Sequence, residues 1–206
     1  MRRRHLAFAS SLTIALACAS GGSASRPEPA ARSRPAPAAA AAPGSKVTIF
    51  ALSDFHGWLT PRTTRSTPRF YGGIAHIGAS MRASASAEKS LILDNGDMWT
   101  GPVESTVLRG EPVVAAYNAL GIAAANVANH EFDFGMKVLR SRASEADFPF
   151  LGANVSDAAS GAQPDFLRPW IVEERNGVKV GVIGLSFRGT PKTTLKKHVE
   201  GLTFGD

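Results

Sequence analysis

Three largely apolar runs, residues 47–52, 91–93 and 122–127, each give way within a few positions to acids, imidazoles or amides, and this constrains the fold more than any other feature of the chain. Strands that are apolar at successive positions need cover on both faces, which a parallel sheet between two layers provides. In open sheets of that kind the ligand crevice lies just past the carboxyl ends of the strands. The polar residues found there are Asp54 and His56, then Asp97, then Asn129, His130 and Asp133. Three separate stretches are therefore expected to converge on one crevice.

The intervening sequence supports an α/β chain. A helix is expected over residues 74–87 after Gly72 and Gly73, and a second from Glu111 and Pro112 to Gly121, with proline in the first turn and glycine just past the end. A third helix over 136–146 precedes a short strand at 149–151. Strands over 170–174 and 178–183 flank Asn176 and Gly177, the strongest hairpin signal in the chain. Strands alternating with helices argue for a layered domain with partly parallel pairing, to which the hairpin adds antiparallel strands.

The residue types past the strands suit hydrolysis of a phosphoester with two metal ions, which needs a carboxylate bridging ions about 3.5–4 Å apart, further oxygen and imidazole donors, and a proton for the leaving oxygen. Asp97, on a Gly-Asp turn, is the natural bridge. Asp54 and His56 are expected to project the same way from one extended segment, because side chains there alternate with period two. Asn129 offers a carbonyl oxygen to a second metal, His130 faces the substrate, and Asp133 holds its imidazolium as the acid. Each run alone has an ordinary alternative: chance, a plain turn, or a polar helix start with Asn129 as cap.

Taken together, residues 52–57, 93–98, 129–135 and 177–185 resemble the calcineurin-like metallophosphoesterases, in particular the bacterial 5′-nucleotidase and 2′,3′-cyclic phosphodiesterase branch. The resemblance implies a four-layer α/β/β/α sandwich with mixed sheets, of which residues 46–206 would form a part truncated at its C-terminal side. It implies two divalent ions (Zn, Mn, Mg, Co or Fe) on Asp54, His56, Asp97 and Asn129, a catalytic pair of His130 and Asp133, and a small phosphate ester, a nucleotide foremost, as substrate. Cyclic phosphodiesters, sugar-nucleotide pyrophosphates and sulfur esters are the alternative substrates. Asn154 matches a position near the family's site, where a loop-capping role serves equally well. Ala128 stands where the family has glycine before Asn-His-Glu, and His76 and His198 match no metal position; a helix face is expected for the first and a solvated loop for the second. Four matched donors supply about half of what two divalent ions require. The chain is therefore expected to be a fragment of a longer enzyme or a catalytically incomplete surface lipoprotein.

The N-terminal part carries a different message. Residues 1–18 read as an export signal, with Arg2, Arg3 and Arg4 before an apolar stretch, and Cys18 closes a lipobox-like sequence that would place a lipid anchor there. An ordinary signal peptide cut beyond Cys18 is the alternative. Residues 19–45, rich in Ala, Pro, Ser, Gly and Arg, read as a disordered tether. The first 45 residues hold six of the 23 bases and one of the 17 acids, so the remainder carries a net charge of only +1. The high pI of 9.9 is thus no nucleic-acid footprint. The sequence points to a periplasmic or cell-surface location and to no protein partner, and its single cysteine excludes an intrachain disulfide.

Overall fold

The structure, a computed structural model, describes residues 44–205 apart from 65 and 67; the leader, Cys18 and most of the tether lie outside the described residues. Strands β1 (Thr48–Leu52), β2 (Ser90–Asp94), β3 (Ala124–Asn126), β4 (Phe150–Leu151) and β6 (Leu167–Arg168) form one wholly parallel sheet in the order β1-β2-β3-β4-β6. Antiparallel pairing is kept apart from it, in β5 (Val155–Asp157) with β9 (Leu202–Phe204) and in the hairpin of β7 (Trp170–Arg175) with β8 (Val178–Ile183). Asn176 and Gly177 turn that hairpin with φ of 51° and 74°, the double left-handed geometry of a type I′ turn.

Alternation along the parallel strands explains why they read as largely apolar. Ile92, Ala125 and Phe150 face helices α1 (Ile74–Ser84), α3 (Glu111–Leu120) and α4 (Met136–Glu145), in a core with Val113, Tyr117 and Leu139. Leu93, Ala124 and Leu151, one position along, face the hairpin and pack on Ile171 and Val182. Helices, sheet and hairpin thus make three layers, and each central strand serves two interfaces. Burying one Leu, Ile or Phe in such an interface contributes about 1.5–3 kcal/mol. β1 departs from expectation: it is an edge strand with Ile49 52% exposed, since only β2 flanks it and the hairpin lies over β2 to β4.

The helix boundaries follow local chemistry. α3 starts after Gly110 with Pro112 in its first turn and ends at Gly121, whose φ of 80° lets its amide bond back to Tyr117 and Asn118. α1 stops at Ser84, three residues short of the expected end, and the chain takes a separate 3-10 turn at Ala87–Lys89 before β2. Between β2 and α3 lies a short helix, α2 (Val103–Val107). Among the described residues no helix is long and apolar enough to cross a membrane.

Candidate metal centre

The turns after β1 and β2 are zipped together by backbone bonds that continue the parallel pairing: the amides of Asp54, His56 and Gly57 donate to the carbonyls of Gly96, Asp97 and Met98 at 3.2, 2.9 and 2.7 Å. Residues 53–57 are not the extended segment expected from sequence. Asp54 and His56 sit at φ of 53° and 47°, so the period-two argument does not apply to them. Asp97 is likewise left-handed, at φ 58°, immediately after Gly96 at 100°. A Cβ on Gly96 would fall 2.7 Å from that of Ala128. The close approach of the second and third turns is therefore met by Gly96, and Ala128 needs no positive φ.

Glu131 fastens these turns, a role the sequence reading did not assign. Its carboxylate is 1% exposed and accepts the backbone amides of Asp97 at 3.0 Å, Met98 at 2.8 Å and Ala128 at 2.7 Å. Burial pushes its pKa up to about 8, while the three amides pull the other way. Three converging N–H groups favour the acceptor-only carboxylate. Within the polar run Asn129-His130-Glu131-Phe132-Asp133 nothing in the sequence sets this acid apart from its neighbours. A second buried acid, Asp94, accepts the hydroxyl of Tyr117 and the amide of Gly96, both at 2.7 Å, and so ties α3 to the Asp97 turn. Burial lifts Asp94 to about 6, opposed by the Tyr117 and Gly96 hydrogen bonds and assisted by the charges of Asp97 and Asp54.

The side chains then meet. His56 donates from Nδ1 to the carbonyl of Thr100 at 2.9 Å, the tautomer that a carbonyl partner selects, and this leaves Nε2 as a free lone pair. His130 Nδ1 lies 2.6 Å from Asp133 Oδ2, and its ring meets that of His56 edge-on at 4.8 Å. One ligand atom from each of His56, Asp97 and His130 lies within 4.8 Å of the others, a grouping able to hold a metal ion. Asp54 stands outside this trio, accepting the hydroxyl of Ser53. Asn129 precedes the 3-10 turn His130–Phe132, but its side chain makes no capping bond, so the plain capping alternative does not hold for it. Burial draws the His130 pKa down, yet the Asp133 hydrogen bond and the charges of Asp133, Asp97 and Glu131 outweigh it and hold the imidazole above its ordinary value. Imidazole and carboxylate donors together suit a divalent metal ion.

Asn154 accepts the Ser186 amide at 2.8 Å and donates to the carbonyls of Ser186 and Gly205 at 2.8 and 2.9 Å, a loop tie. Ser186 in turn donates to the carbonyl of Val127 at 2.6 Å, anchoring the segment after β8 on the third turn. His76 lies exposed on α1, as expected, with Nδ1 3.0 Å from the Gly72 carbonyl. His198 differs from the solvated residue expected: it is half-buried in the 3-10 turn Lys196–His198, with its ring beside Gly135.

No family model matches the chain. It is 35% identical over 163 residues to Protein UshA of Salmonella pullorum, which covers 77% of this chain and 28% of that protein. It is 32% identical over 165 residues to a 5′-nucleotidase of Vibrio cholerae, covering 78% and 29%. The chain thus spans under a third of the length of these curated relatives. Among solved structures, the 5′-nucleotidase precursor from Thermus thermophilus superposes with a TM-score of 0.68 at 28% identity, over 78% of this chain and 32% of that one. The calcineurin-like phosphoesterase YfkN from Bacillus subtilis, at 24% identity, shares the fold with a TM-score of 0.59 over 77% and 53%.

Proposed function

We propose, for a chain whose homologues are 5′-nucleotidases and whose fold is that of the calcineurin-like phosphoesterases, that residues 46–206 carry part of the centre of an exported, metal-dependent nucleotide phosphoester hydrolase. The observation that carries this reading is the meeting of His56, Asp97 and His130 past the ends of the parallel strands, with Asp133 behind His130. In this reading Asp54, His56, Asp97 and Asn129 would hold the divalent ions, with Asp97 shared between them. Divalent ions bound there would supply Lewis acidity toward the phosphoryl oxygens and a more acidic attacking water. In this reading His130 pairs through Nδ1 with Asp133, and a proton carried at Nε2 is the one given to the leaving oxygen.

His130 has one ring nitrogen free, so acid and ligand roles compete for the same atom. Metal analysis beside kinetics separates them. In a complete enzyme containing this segment, Asp97→Ala is expected to lose bound metal, and His130→Ala to keep it while turnover of a nucleoside monophosphate falls by about 10²–10⁴-fold. Loss of metal in the His130 variant with retention in the Asp97 variant reverses the assignment. Cys18, outside the described residues, is proposed as the lipidated residue of a periplasmic or surface protein held by the tether of residues 19–45. The mass of the mature N-terminus tests that: an unmodified terminus beyond Cys18 overturns it.

A further inference from the structure

Beside the candidate centre, the loop that follows β1 builds a second feature. Arg62 and Tyr71 form an isolated antiparallel bridge, with amide-to-carbonyl bonds of 3.0 and 2.9 Å in both directions. The loop returns there on Gly72 and Gly73, both left-handed, and a Cβ on Gly73 would lie 2.7 Å from the Pro61 nitrogen. These contacts fix the base of a loop whose tip is polar. Above the bridge, the Arg62 guanidinium lies 3.7 Å from the centroid of the Trp58 ring and 5.5 Å from that of Tyr71.

A guanidinium seated over an aromatic face makes a cation–π contact there and keeps its N–H donors for another partner. Among the described residues no carboxylate pairs with Arg62 and no side-chain hydrogen bond occupies those donors. Trp58, Arg62 and Tyr71 line a cavity of about 230 Å³ whose wall continues to Ser53, Asp54 and Phe55. A cation seated on an aromatic ring therefore shares a recess with Asp54, a residue of the candidate centre.

We propose that Arg62, seated on Trp58, is an anion subsite that receives a second phosphate of the substrate, one linkage away from the phosphorus attacked at the centre. The assignment rests on the reading of Asp54 as part of that centre. It makes Arg62 a specificity residue: it distinguishes substrates bearing two neighbouring phosphates from those bearing one, through planar, charge-assisted hydrogen bonds that a monophosphate cannot reach while occupying the centre.

The test uses non-hydrolysable probes, methylenediphosphonate and methylphosphonate, titrated calorimetrically into the metal-loaded full chain, with metal content measured for each variant. Arg62→Gln is expected to weaken methylenediphosphonate by about tenfold and methylphosphonate by less than about twofold, the loss of one charged hydrogen-bonding group. Arg62→Lys, which keeps the charge but not the flat fork, is expected to recover only part of that loss, and bound metal should be unchanged in both. Equal losses for the two probes, or none, overturn the subsite and leave the metal centre standing. Failure of the wild-type chain to bind methylphosphonate in a metal-dependent way overturns the centre and the subsite together.

Discussion

Glu131 has no atom in the crevice, yet three amides from two turns converge on it, so replacing it separates scaffolding from chemistry. In Glu131→Gln an amide N–H must face at least one backbone N–H, and the metal-free chain is expected to lose about 2 kcal/mol, read from chemical denaturation. Metal affinity should fall with it, because Asp97 is then no longer held in its left-handed turn. Asp133→Asn probes the adjoining pair. The folded-state pKa of His130 is raised above the ordinary imidazole value, so its contribution to stability is complete below about pH 6.5 and is lost as pH rises through the folded pKa. The variant is expected to flatten that fall in the denaturation midpoint, and a profile unchanged from wild type would contradict the pairing. The acids, imidazole and amide at 54, 56, 97 and 129 were legible as ligand candidates because they sit past strand ends. Their backbone was not: left-handed φ at Asp54 and His56 leaves no periodic trace, and Glu131 is recognisable only once the amides of residues 97 and 98 are known to point at it.

At the level of elements, the hairpin divides its residues cleanly. Ile171 is 7% exposed against Leu93, Ala124 and Leu151, whereas Val172 is 52% exposed on the outer face. Ile171→Ala should therefore cost about 3 kcal/mol and Val172→Thr less than about 0.5 kcal/mol, measured as the shift in urea midpoint times m. Comparable losses from both would mean the outer face is covered in solution. The hairpin was readable from Asn176 and Gly177, because a two-residue type I′ turn dictates register by itself. The central strands were readable from their largely apolar runs, although Asn126 breaks the one that becomes β3. The edge position of β1 was not, since residues 47–52 are as apolar as a central strand and only the sheet order exposes Ile49.

For the whole molecule, the outer hairpin face dominates: Trp170 at 57%, Val172 at 52% and Ile183 at 68% exposure lie together, with Leu185 at 63% just beyond. A contiguous apolar surface of this kind favours association, and the chain is expected to self-associate with rising concentration. Val172→Lys with Ile183→Lys should abolish this in sedimentation velocity, and persistence of the association would place its cause elsewhere. The same face has an optical use. The three tryptophans occupy three unlike surroundings: Trp99 fully buried with Nε1 donating to the His130 carbonyl at 2.8 Å, Trp58 beneath the Arg62 guanidinium, and Trp170 open to water. Their emission is therefore separable by colour and by quenching. A blue shift of the Trp170 band reports whatever comes to rest on the hairpin, a change in Trp58 reports Arg62 moving off its ring, and Trp99 registers strain reaching the His130 turn from either side.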